Sequence, residues 1–261
     1  MMTFVLLDHS HDLFHRLGAT GGEAVPRMLF QQTELALYAD QSPVLVAAGQ
    51  PLLSAIQNAP ECWPGLLIQS VADERVLLDH LRGILLVRFD GGQRKGVLRY
   101  WSPRTASYFF PAESKQRLRW FGPIHKISWH GGTWREKAES IETWKSLENP
   151  LAEHWLPPAE RSPMCLDEGQ EAVLLRQQQE HFVYQWPGSS RMPFGEAWQY
   201  FCDGASSGFD DSEQLLRYLE LREAFRGQRV PANLPGESAD QRLAYLEESL
   251  QRGCMNKDEQ A

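Results

Sequence analysis

The sequence predicts an α+β protein: an N-terminal mixed α/β lobe with a β-hairpin-containing sheet, followed by an all-α C-terminal lobe. Three observations carry this. Up to about residue 148, short apolar runs rich in branched side chains alternate with segments of helical period, the pattern of helices layered on a sheet. Pro150, Pro157, Pro158 and Pro163 then crowd a stretch with few runs long enough for an element. Beyond them only helix-period segments remain. Two lobes suit a chain of 261 residues, given typical domains of about 100 to 200 residues. The boundaries predicted are 1–148 for the α/β lobe, 149–164 for a proline-rich linker, 165–255 for the helical lobe and 256–261 for a disordered tail.

Residues 3–7 predict the first strand, 11–17 a short helix, and 44–48 a second strand after the Ser42-Pro43 break. A helix near 52–58, a buried strand over 66–70 and a helix over 74–82 with Asp73 as N-cap follow. Runs 84–89 and 96–101 read as the arms of a hairpin around Asp90-Gly91-Gly92, because glycine enters the positive-φ region that a tight turn needs. The hairpin is expected to add antiparallel pairing at the end of the sheet. Pro103 cannot donate to a ladder and ends the second arm; 105–110 and 112–121 read as short helices before Gly122-Pro123. Segments 127–129 and 133–135 suggest a last small hairpin around Gly131-Gly132. In the C-terminal part, helices are expected over 167–185, 194–203, 211–226 and 238–252. Asp167/Gln170, Asp211/Gln214 and Ser238/Gln241 have capping-box spacing. Leu215, Leu219 and Phe225 form an apolar stripe read as core, and Gly227 stands where a C-cap is wanted.

Charge is unevenly spread. The net charge is -8, yet residues 1–150 hold 16 Lys+Arg against 15 Asp+Glu, whereas 151–261 hold 10 against 19. Within the first part, 88–126 carry nine basic residues and two acids, a band able to face an acidic partner, face water, or pack on the acidic second lobe. No apolar run approaches the roughly 20 residues of a membrane span, and residues 1–7 lack a basic leader, so a cytoplasmic location without membrane contact is expected. Cys62, Cys165, Cys202 and Cys254 lie far apart, without Cys-x-x-Cys pairing, and read as buried thiols.

Several short segments together resemble a known family. They are Leu6-Leu7-Asp8, Trp63 to Ser70, His80-Leu81-Arg82, Val87-Arg88, Leu98 to Arg104 and Trp120 to Ile124. The chain resembles the effector adaptors, or chaperones, of the bacterial type VI secretion system (Tap or TEC proteins), closely over its first half and in helical outline over the second. Ser102 stands where that family usually has aspartate; either can cap the helix that follows. The resemblance implies a non-catalytic protein that binds a toxic effector in the producing cell and loads it onto the VgrG spike or its PAAR tip. Reversible holding suits a moderately polar cleft between two lobes. Arg99, Trp101, Arg104, Trp120 and Phe121 are expected to border it, in keeping with nine tryptophans in the chain and the enrichment of tryptophan and arginine at interface hot spots.

Other chemistries fit less well. Single-stranded nucleic-acid binding by the aromatic, basic band 88–126 is the rival reading, but a pI of about 5.5 and the acidic second half oppose a polyanion. Burial in a core is the ordinary explanation for Tyr100, Trp101 and Phe121. Gly204 to Gly208 satisfies Gly-x-Ser-x-Gly around Ser206, and His130-Gly131-Gly132 imitates an oxyanion loop. A serine hydrolase of that order needs a histidine after the serine, and the last one is His181. Asp8, His9 and His11 lie close in sequence, but strand alternation separates neighbours and no fourth ligand is indicated. Gly21-Gly22 and Gly91-Gly92 lack the lysine spacing of a phosphate loop. No cofactor, metal or catalytic residue is expected.

Overall fold

The computed structural model describes residues 1–21, 25–114, 116–158, 163–231 and 233–258, with the backbone alone at 254–258. The chain packs as two compact units, 1–177 and 178–261. The first is mixed α/β with an antiparallel sheet and the second is helical, as the sequence predicts.

The first unit is built on six strands: β1 (Met2–Leu7), β2 (Arg27–Met28), β3 (Val44–Ala47), β4 (Gly65–Ser70), β7 (Ile124–Gly131) and β8 (Thr143–Glu148). Their order is β2-β3-β1-β4-β7-β8, antiparallel throughout. Side chains alternate across the pleat, so Phe4, Leu6, Leu45, Leu66, Ile68, Ile127 and Trp129 enter one core. Val5, Leu7, Val44 and Val46 enter another, against Leu13 and Leu17 of α1 (Leu13–Ala19) and Leu52 and Ile56 of α2 (Gln50–Asn58). Burial on both faces explains why β1, β3 and β4 are largely apolar, whereas β7 alternates Ile127 and Trp129 with Lys126, Ser128 and His130.

The larger core is closed by α3 (Glu74–Gly83), α4 (Pro103–Phe109) and α5 (Arg117–Phe121). Asp73 caps α3 as expected, accepting from the Val76 N–H at 2.9 Å. Ser102 occupies the N-cap position of α4, but its side chain makes no capping bond. The central hairpin differs from expectation in extent and place. Its arms are β5 (Leu86–Phe89) and β6 (Arg94–Val97), joined through Asp90, Gly91 and Gly92, all at positive φ. Rather than extending the large sheet, they form a separate three-stranded sheet with β9 (Met164–Cys165), which runs parallel to β5. The Leu98 N–H still bonds to the Leu85 carbonyl at 2.9 Å; Tyr100 and Trp101 leave the ladder and are buried in the core instead, where aromatic area is worth more than further pairing at an edge. The expected small hairpin at 127–135 is also redrawn. α6 (Trp134–Ala138), with Thr133 and Glu136 as a capping box, is inserted between the full-length strands β7 and β8.

The segment 149–164 belongs to the first unit, and the division falls inside α7 (Glu168–Gln185). Two ties account for that. β9 pairs with β5, and Asp167, which precedes α7, accepts from Ser114 Oγ at 2.5 Å. In the second unit α8 (Phe194–Ser206), α9 (Ser212–Ala224) and α10 (Ala239–Asp258) enclose a core that includes Val183, Phe194, Phe201, Phe209, Leu219 and Leu246. Leu215 and Leu219 of the predicted stripe belong to it, and Phe225 packs against it. Of the expected tail, 256–258 continue α10 and 259–261 lie outside the described residues. Cys62 and Cys165 are exposed, not buried, since neither lies where strand or helix alternation points inward; Cys202 is half-buried, and the Cys254 side chain lies outside the described residues.

Candidate protein-binding surface

The segments that carry the family resemblance converge and bond to one another. Asp8, at the end of β1, accepts from Trp101 Nε1 at 2.9 Å and from Arg99 Nη2 at 3.2 Å. The Tyr100 hydroxyl donates to the Leu81 carbonyl at 2.8 Å, joining the aromatic segment to the end of α3. One residue on, Arg82 donates to the carbonyls of Leu29 and Met28 and to Gln32 Oε1, fastening the chain that leads into β3. His80 Nε2 lies 3.0 Å from the Trp120 carbonyl, so it is the nitrogen that carries the proton. Asn149, buried at the end of β8, donates to the carbonyls of Gly122 and Ile124 and holds the turn in place. Polar groups taken out of water need such partners, and here the partners lie in distant segments.

This arrangement locates the five residues selected from the sequence. Trp101, Trp120 and Phe121 are only 1 to 2% exposed and pack in the larger core, where Phe109 and Trp120 meet edge to face at 5.0 Å. They shape the surface from beneath and present no face to a partner. Arg104 is also largely enclosed: it donates to the carbonyls of Gly132 and Thr133, pairs with Glu142 at 2.6 Å and lies over the Trp134 ring. Only Arg99 is well exposed, and it is engaged with Asp8. The structure therefore does not gather the five into a cleft. Hydropathy and residue type select aromatics equally well for cores and interfaces, which is why the sequence could not separate the two uses.

The basic band divides in the same way. Lys95, Arg99, Arg104 and Lys126 pair with Glu34, Asp8, Glu142 and Glu148, all within the first unit. Lys115 lies outside the described residues. Arg88, Arg94, Arg117 and Arg119 are exposed and, among the described residues, form no ion pair. Ser206 is in the last turn of α8, not on a strand-to-helix elbow. Asp8, His9 and His11 are not among any group of three ligand-type side chains that could hold a metal, within the described residues.

The first unit also has an open recess, lined in part by residues that the sequence reading left unassigned. It has a volume of about 360 Å³ and lies between α3, α5 and the strap of residues 155–158, read above as linker. Val76, Ile84, Trp155, Leu156, Pro157, Pro158 and Met164 give it an apolar lining; Arg119 and Asp79 supply charge, and His80 completes the wall. The imidazole meets the Trp155 ring edge-on at 5.4 Å. Burial draws its pKa down to about 4 against the opposing effect of the Trp120 carbonyl, so the wall is neutral at pH 7. The signal for the strap was present, since a solvated linker has no use for Trp155 and Leu156 among its prolines.

Residues 3–119 match the domain of unknown function DUF4123. The match covers β1 to the middle of α5 and so takes in most of the interlocked segments. No curated protein and no solved structure matches the chain. The last two strands of the large sheet, the strap and the helical unit all lie beyond the DUF4123 match, so the recess has its α3 wall inside the domain and its strap wall outside it. Among the described residues no helix is long and apolar enough to cross a membrane.

Proposed function

We propose that this chain is a non-catalytic adaptor of a type VI secretion system, which binds a toxic effector in the cytoplasm and delivers it to the VgrG spike or PAAR tip. The observation that carries this reading is the DUF4123 match over residues 3–119, a domain found in effector-associated adaptors of that system. The network of Asp8, His80, Tyr100 and Trp101 supports it in a particular way. The residues that carry the resemblance are fastened to each other, so what they preserve is a scaffold, and cargo selection is left to the surface around them.

The test is co-purification. The tagged chain should retain its cognate toxin, sought among the products of neighbouring genes, when both are expressed together, and deleting the chain should abolish secretion of that toxin while the spike proteins are still exported. A toxin that is secreted normally without the chain, or purified chain that turns over a small molecule, defeats the reading.

A further inference from the structure

We propose that the recess between α3, α5 and the strap captures an extended cargo segment in which a bulky apolar side chain is flanked by carboxylates; this rests on the adaptor reading. Its volume of about 360 Å³ is within the usual range for a binding pocket, roughly 300 to 1,000 Å³. The lining is apolar, and Leu156 at the mouth is 82% exposed, an arrangement that costs free energy until something covers it. The occupant's charge follows from Arg119. This guanidinium lines the recess, is exposed, and among the described residues has only a 3.5 Å contact with Gln116 Oε1. Neighbouring Arg117 lies over the Phe121 ring, also without a carboxylate among the described residues. Asp79, the one acid in the lining among the described residues, is already engaged. Among the described residues the mouth therefore carries uncompensated positive charge beside an apolar floor, which favours an anionic, apolar partner.

The shape points to polypeptide. Trp155, Pro157 and Pro158 offer rigid ring faces of the kind on which extended chains pack, with little side-chain entropy to lose. The back wall is set in advance, because His80 is held between the Trp120 carbonyl and the Trp155 ring.

The full-length protein is titrated by fluorescence anisotropy with fluorescein-labelled Gly-Ser-Glu-Leu-Phe-Glu-Ser-Gly. Two companion peptides replace both glutamates by lysine, or Leu-Phe by Ser-Ser. The acidic apolar peptide should bind about tenfold more tightly than the lysine version, and the Ser-Ser version should not bind. Arg119→Glu should reverse the charge preference, and Leu156→Ser should weaken the acidic peptide about threefold or more. Both positions are exposed, and an unchanged Tm verifies folding. Equal affinity for acidic and basic peptides, no binding of any peptide, an unaltered preference in Arg119→Glu, or displacement of peptide by decanoate at lower concentration would each overturn the proposal. Cargo capture separates the two readings. If both variants still co-purify with the neighbouring toxin, the recess is not its site and the adaptor role stands; if wild-type protein binds the acidic peptide yet never retains the toxin, the adaptor role fails.

Discussion

At Gly122 the backbone adopts φ +53°, and an added Cβ would fall on the His80 ring. Both effects oppose any side chain, and the ring cannot withdraw, because its Nε2 is held by the Trp120 carbonyl. Gly122→Ala should therefore destabilise the protein by about 2 kcal/mol or more, measured as a shift in the denaturant midpoint at constant m-value. His80 itself gives the molecule a pH dependence. Its folded pKa of about 4 lies below its ordinary 6.5, so between these values the unfolded chain binds the proton and the folded chain does not. Its contribution is complete above pH 6.5, declines as pH falls towards 4, and is constant below that, amounting to roughly 3 kcal/mol at most. Denaturant midpoints measured from pH 7 to pH 4 should fall more steeply for wild type than for His80→Gln, which keeps a donor for the Trp120 carbonyl. Parallel curves would show that the imidazole is not kept neutral.

Among the elements, helix starts were the most readable because capping is local chemistry. Asp167 and Gln170 exchange bonds at 3.0 and 3.1 Å, and Ser238 and Gln241 do so at 3.2 and 3.3 Å. Asp211 instead serves the Glu213 N–H and leaves Gln214 out. Ser238→Ala should cost about 1 kcal/mol and speed amide exchange in the first turn of α10, with other helices unaffected. Strand ends were less readable. Leu98, Tyr100 and Trp101 have strand composition yet turn into the core, and 143–148, with their charges and exposed Trp144, show no apolar period, although they form a full edge strand. Charge on an edge strand suits the position, since it discourages pairing with another chain. That also removes the pattern by which such a strand is recognised.

Across the whole molecule, the helical unit has a core distinct from the two that flank the sheet. Truncating Leu246, fully buried there, to alanine should cost about 3 kcal/mol. Exchange should then quicken in 178–258 before it does in β1 and β4; equal acceleration in both would mean that the units unfold as one. The amino-acid sequence alone determined the two-part α/β and helical plan, the apolar strands at the sheet centre, the Asp73 cap and the family resemblance, because each depends on neighbours a few residues apart. Tertiary structure alone decided that Trp101, Trp120 and Phe121 are core, that Arg104 is spent on the Gly132 and Thr133 carbonyls, and that the strap completes a recess with α3 and α5. Those outcomes depend on which distant groups reach an aromatic ring or a guanidinium first, and residue type is silent on that.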